Sequence, residues 1–294
     1  MATSTPPAPA RQTHRQEEAG PGVNFGRVLK SEWIKVTTVP STVILIASTV
    51  VVMIGLAALF AWALSTSAEA IQSAEVPPEF QGPTEGPNSL AGQALTAPSS
   101  GLVFGQLLIA SLAVVLIASE WTTGMIRSTM VAVPKRTPAL LAKTAIVAVV
   151  SFVVGFASAL ISYLVAQPIL RGQDLDFALT DDGVLASVVN SGTFLALVAV
   201  ISMSIGTLLR NTAGGVVTAV GIFFVLPIIV QLISGLADWI PDAARFLPGE
   251  AGTQMVAVMV EDDALTQLQG GLVMGVWALV LLVVSLLVTK KRDV

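Results

Sequence analysis

Six long apolar runs separated by short polar breaks dominate the hydropathy pattern of this 294-residue chain, at about 41–64, 101–119, 138–166, 184–208, 212–236 and 270–289. About 20 helical residues cross a hydrocarbon core of roughly 30 Å, so each run predicts a membrane-spanning helix. The break between the fourth and fifth, "LLRNTAGG" (208–215), is the shortest. An arginine at mid-bilayer costs about 2.5–3.5 kcal/mol, so Arg210 and Asn211 predict a tight surface hairpin rather than one long helix. Pro227, inside "FFVLPIIV", predicts a kink or break in span five that frees backbone carbonyls. Residues 1–24 are rich in Pro, Ala, Thr and charge, lack an apolar run, and predict a disordered tail. The first apolar block begins near Val43 and is too long for the core of a secretory signal. The expected fold is therefore all-α integral membrane, with a tail (1–24) and a six-span domain (25–294).

Composition agrees with that pattern. The chain is 54% hydrophobic and only 12% charged, whereas a soluble domain carries roughly 25% charge. Lipid must serve as part of its solvent. With no cysteine, and with His14 in the tail as its single histidine, the chain has no disulfide framework, no thiolate chemistry and no Cys- or His-based metal site within the membrane.

Charge then sets the expected orientation. Thirteen of the fifteen Lys and Arg residues fall on one predicted side: Arg11, Arg15, Arg27, Lys30 and Lys35 before span one, Arg127, Lys135, Arg136 and Lys143 around the loop after span two, Arg210, and Lys290, Lys291 and Arg292 at the C-terminus. The other side has only Arg171 and Arg245, with acidic loops containing Glu69, Glu75, Glu79 and Glu85, then Asp174, Asp176, Asp181 and Asp182. This positive-inside asymmetry places both termini in the cytoplasm. Trp33, Trp62, Trp121 and Trp239 fall near span ends, where interfacial belts lie.

The runs contain no Asp or Glu in their interiors. Ion-coupled carriers usually place such groups near the midplane, so that reading is disfavoured. Lys143 lies near the start of a run longer than the core is thick, and is expected to sit in, or snorkel to, the headgroups. Intramembrane proteolysis lacks an Asp pair, a His partner for a serine, and HExxH. There is no GxxxxGK[ST], so any ATP used must be bound by another chain, and the chain itself is read as neither an enzyme nor a cofactor binder. Ser151, Gly155 and Ala159 share one face of span three, beside Ser158 and Ser162, which predicts close packing within the chain in preference to a dimer seam.

The segment "SEWTTGMIRSTMVAVPKR" (119–136) separates spans two and three. As a helix continuing to 133 it places Glu120, Thr123 and Arg127 on one face and Trp121 with Met125 on another. Gly124 marks a bend or a close backbone approach, and Pro134 ends the element. Thr137 and Pro138 predict a cap and first position for span three. Such a short amphipathic cytoplasmic helix suits either an interfacial anchor or a docking element for a soluble partner. A second "SEW" (31–33) lies in "GRVLKSEWIKVTTVPST", whose Phe25, Leu29 and Trp33 recur at helical spacing, with Arg27, Lys30 and Lys35 available to anionic lipid. A three-residue match is weak ground for duplication and is taken as coincidence.

"LKSEWIKVTTVPSTVILI" resembles the N-terminal surface helix and first span of class-two ATP-binding-cassette (ABC) exporter permeases, particularly bacterial ones. "ASEWTTGMIRSTMVAVPKRTPALLAKTAI" is similar to their first cytoplasmic loop, and "GTLLRNTAGGVV", "RFLPGEAG" and "VTKKRDV" follow in the matching order. The resemblance covers nearly all of 25–294. It implies a plasma-membrane permease subunit that exports a substrate, pairs with a second permease as homo- or heterodimer, and takes its energy from a separate cytoplasmic ATPase, with no nucleic-acid partner. It further implies that the loop between spans two and three is a coupling helix, with Glu120, Gly124 and Arg127 as contacts to the ATPase; Trp33, Lys35 and Trp121 are read, from their interfacial positions, as membrane-surface anchors. Short helical pieces are expected between spans five and six, around Trp239 and Phe246. The alternatives are a non-transport scaffold or signalling subunit of the same topology, or an ion-coupled carrier.

Overall fold

The computed structural model describes residues 25–74, 83, 85–125, 136–260 and 264–291. The tail 1–24, Arg127 with the rest of 126–135, and much of the loop after span one lie outside the described residues.

The chain is a multi-pass, all-α membrane protein with six candidate spans. Among the described residues, six helical stretches are long and apolar enough to cross a bilayer: Pro40–Ser73, Leu90–Thr122, Thr137–Gln173, Val184–Leu209, Thr212–Leu236 and Gln267–Lys291. They correspond one to one with the runs read from the sequence. In order, α1 (Phe25–Thr38) precedes the first span, α2 (Pro40–Ser73). A short α3 (Leu90–Ala94) and a 3-10 turn lead into α4 (Leu102–Thr122), the second span. Next are α5 (Arg136–Leu170) and α6 (Val184–Leu209). Span five comprises α7 (Thr212–Val220), a π turn (Gly221–Val225) and α8 (Leu226–Ile233). Two short helices, α9 (Trp239–Ala244) and α10 (Pro248–Val256), supply the pieces expected before α11 (Gln267–Lys291).

Helix boundaries follow local chemistry. Between α1 and α2, Val39 is extended and Pro40 opens the new helix, where its missing N–H costs nothing. Helix α2 runs beyond the predicted end at 64 to Ser73, because "STSAEAIQS" is polar yet contains no helix breaker. The α6–α7 hairpin forms as expected: Arg210 turns the chain in the left-handed region (φ 51°), and Asn211 Oδ1 accepts from Gly214 N at 2.8 Å to cap α7. Helix α5 begins at Arg136, so Pro138 stands within its first turn rather than at its first position.

Helices α4 and α6 form the centre of the bundle, with more than half of each span buried. Without a hydrophobic drive between helices in lipid, their association depends on close packing. A Cβ on Gly155 of α5 would lie 2.7 Å from the Ser191 carbonyl oxygen of α6, and one on Gly192 would lie 2.7 Å from that of Phe152. The small-residue face of span three is thus spent within the chain. Helices α2, α7, α8 and α11 turn wide apolar faces outward, through residues such as Val51, Leu59, Val217, Leu232, Leu272 and Val280. The kink at Pro227 takes the form of the π turn, and the carbonyl four residues back, on Phe223, accepts from Gln106 Nε2 of α4 at 3.5 Å, the long limit of a hydrogen bond.

At the other end of span six, α10 lies tucked against α6 and α11. Its last carbonyls have no helical donors. Ser187 Oγ donates to Val256 O, Asn190 Nδ2 to Met255 O at 2.9 Å, and Gln267 Nε2 to Ala257 O at 2.7 Å.

Candidate functional site

The charged residues singled out from the sequence converge where α1, the end of α4 and the start of α5 meet. Helix α1 buries Val28, Glu32 and Val36, one helical stripe, and this stripe brings a carboxylate into the bundle. Glu120 belongs to the last turn of α4, where the negative end of the helix dipole disfavours an anion. Lys143 lies about two turns into α5.

These groups close an alternating ring. Lys143 Nζ lies 2.5 Å from Glu32 Oε2 and 2.9 Å from Glu120 Oε1, while Lys35 Nζ lies 2.8 Å from Glu32 Oε1 and 3.1 Å from Glu120 Oε1. Glu32, Glu120 and Lys143 are 3%, 5% and 6% exposed, so three of the four are withdrawn from solvent. Removing such ions from water costs several kcal/mol each, and the attraction offsets this only with close, hydrogen-bonded geometry. Two anions and two cations balance, and each is held by two neighbours. The Lys143 ammonium, expected in the headgroups or reaching out to them, turns inward to two buried carboxylates.

Burial alone would push the Glu32 carboxyl up; the charge and hydrogen bond of Lys143, joined by Lys35, outweigh it and hold the group below its ordinary value. Burial likewise pulls Lys35 down, but its hydrogen bond to Glu32 and the charge of Glu120 lift it above the usual lysine value. Folding therefore favours ionised Glu32, a contribution complete above the ordinary carboxylate range and lost as pH falls through the folded value. The melting temperature of the purified chain should fall as pH drops below about 4.5, the ordinary glutamate value, with a shallower slope in Glu32→Gln. Equal slopes would remove Glu32 from the account.

Next along the chain, Trp121 lies beneath the Arg210 guanidinium, 3.9 Å from ring centroid to Cζ. The end of α4 is thus clasped twice: by Glu120 to α1 and α5, and by Trp121 to the α6–α7 hairpin. Helix α4 ends at Thr122, Met125 is helical again, and the rest of the helix expected to continue to 133 lies outside the described residues. Gly124 then adopts φ 72°, a conformation that L side chains resist, although no atom lies within 4 Å of where its Cβ would stand. Glycine is needed here for the sign of φ, not for space, and the bend expected at this position is present.

Of the expected partner contacts, Glu120 is buried in the ring, Gly124 is exposed at the turn, and Arg127 lies outside the described residues. Of the expected anchors, Trp33 is 47% exposed on the outer face of α1, while Lys35 and Trp121 face the ring and Arg210 respectively. The sequence reading missed Glu32 and the inward role of Lys143. A signal existed: within 25–291, Glu32 and Glu120 are the only acids on the predicted cytoplasmic side, and each is the Glu of an "SEW".

What the ring can do is mechanical. It gives α1, α4 and α5 one shared set of charges, so shifting the end of α4 alone would strand buried ions. Compared with known proteins, the chain matches neither a family model nor a curated relative.

Proposed function

We propose that this chain is the membrane subunit of an ABC exporter in a bacterial plasma membrane, with both termini cytoplasmic, working with a second permease and a separate cytoplasmic ATPase. One observation carries the reading most directly. Helix α4 ends in a glycine turn at Gly124, one helical turn beyond Glu120, whose carboxylate is bonded to both α1 and α5, and the connection to α5 starts from that turn. A partner that grips this connection would move three helix ends as a unit. The thirteen-to-two distribution of basic residues, the six spans and the resemblance of segments in order support the same reading.

ATP hydrolysed elsewhere would displace the connection and shift the balance between two arrangements of the spans; the coupling must come from contacts that differ between the two. The ion-coupled alternative is less well supported, because the buried carboxylates satisfy ammonium groups at helix ends rather than standing at mid-membrane.

A P-loop ATPase encoded in an adjacent reading frame is expected, and co-expression with it tests the proposal. An affinity tag on the permease should retain the ATPase, and Arg127→Glu should reduce that retention at least tenfold while leaving the melting temperature of the permease unchanged. Cysteines at 125 and 127 should crosslink to the ATPase. Vesicles holding this chain alone that drive solute uphill, or a connection that never crosslinks to a nucleotidase, would overturn it.

A further inference from the structure

At the end of the bundle opposite the ring, the outer half of span five, helices α9 and α10 and the approach to α11 enclose a cleft of about 530 Å³, within the usual size of a small-molecule site. Its lining mixes apolar Pro227, Ile228 and Leu265 with polar Gln231, Ser234, Glu250 and Gln254. Glu250 and Gln254 are four residues apart on α10 and so present their side chains together. Gln254 Oε1 is buried without a hydrogen-bond partner among the described residues, an arrangement that costs free energy unless a donor arrives.

The charges of the lining point to the kind of donor. Among the described lining residues the single cation, Arg245, is engaged by Asp242, with Nη2 at 2.5 Å from the carboxylate and Nε at 3.0 Å from the backbone carbonyl. Asp242 and Arg245 therefore offset one another, and among the described lining residues Glu250 adds one further negative charge. Burial raises the Glu250 carboxyl above its ordinary value, so a neighbouring cation would relieve a real penalty. The surroundings suit an amphiphile: the exposed rings of Trp239 and Phe246 stand nearby on the same outer segment, as at a membrane interface, and Leu232 and Ile228 lead away along the apolar face of α8.

We infer that this cleft binds the ammonium head of an amphipathic primary amine, with Glu250 and Gln254 as acceptors and Pro227, Ile228 and Leu265 against its apolar part. An ammonium offers three donors and one positive charge, matching a carboxylate and an amide oxygen side by side. The site is independent of whether an ATPase drives the chain, and its test needs none.

The purified chain in nanodiscs of phosphatidylcholine alone should bind dodecylammonium saturably, one per chain, by titration calorimetry. Dodecyl sulfate should show only the partitioning seen with empty nanodiscs. Glu250→Gln should weaken dodecylammonium binding at least tenfold, and Gln254→Leu about fivefold. Because Glu250→Gln removes a penalised carboxylate, its melting temperature should stay level or rise, which separates lost binding from lost fold. Doping the nanodiscs with phosphatidylethanolamine distinguishes the source: competition assigns the site to a bilayer lipid, and its absence to an amine arriving from elsewhere, with the ammonium site standing in both. Equal binding of dodecyl sulfate, or unchanged affinity in a folded Glu250→Gln, overturns the inference.

Discussion

Replacing Lys143 with methionine should destabilise the chain by about 3–5 kcal/mol, the usual cost of stranding a buried charge. The side chains are similar in length, so the loss is electrical rather than steric. Without Lys143, Glu32 and Glu120 face one another across a ring whose remaining cation, Lys35, is already bonded to both. Glu32 would lose its 2.5 Å partner and Glu120 its 2.9 Å one, and both carboxylates are almost wholly buried. The measurement is thermal unfolding of the detergent-solubilised protein at pH 7, alone and in combination. Lys143→Met with Glu120→Gln should recover a large part of the loss, since it restores one anion to one cation. Additive losses in the double variant would show that the ring does not act as a unit.

The second large effect is steric. Gly155→Leu should cost about 1–3 kcal/mol, the range for overpacking a well-filled contact, and should fall near the top of it. The atoms in the way are the Ser191 carbonyl oxygen at 2.7 Å and the Gly192 Cα at 3.0 Å, both backbone of a central helix. Neither can swing aside as a side-chain end would. Gly26, by contrast, has open space around it, so Gly26→Ala on exposed α1 should be nearly neutral and serves as the control. Unfolding midpoints of the two variants, compared in one detergent, decide the point. If Gly155→Leu melts with the parent, helices α5 and α6 are not held at backbone distance.

How much of this was legible depends on whether the signal was local. The six spans, the hairpin at Arg210 and Asn211, the kink at Pro227 and the packing role of Gly155 were readable because each rests on a run, a cap, a missing N–H or a missing Cβ. Gly124 was also readable as a bend, and its φ of 72° is that bend, while the helix expected to continue to 133 lies mostly outside the described residues. The ring was not readable as a ring. Lys143 and Glu32 are 111 residues apart, and no periodicity reports a pair at that separation. Lys143 looked explicable alone as a snorkelling base, and Glu32 drew no reading of its own. Their meaning emerges only once α1 is seen to bury its acid rather than its tryptophan. The two "SEW" triplets, dismissed on length, were a real pointer, because acids are otherwise absent from the described part of that side.

The ring also imposes an order on biogenesis. Helix α1 leaves the ribosome well before its buried counter-ion, with 111 residues between Glu32 and Lys143. At ordinary elongation rates of about 5–20 residues per second, that interval lasts roughly 5–20 s. For that time the nascent N-terminal helix must wait at the lipid surface, its acid served only by Lys35, and it docks for good once the third hydrophobic segment has been inserted.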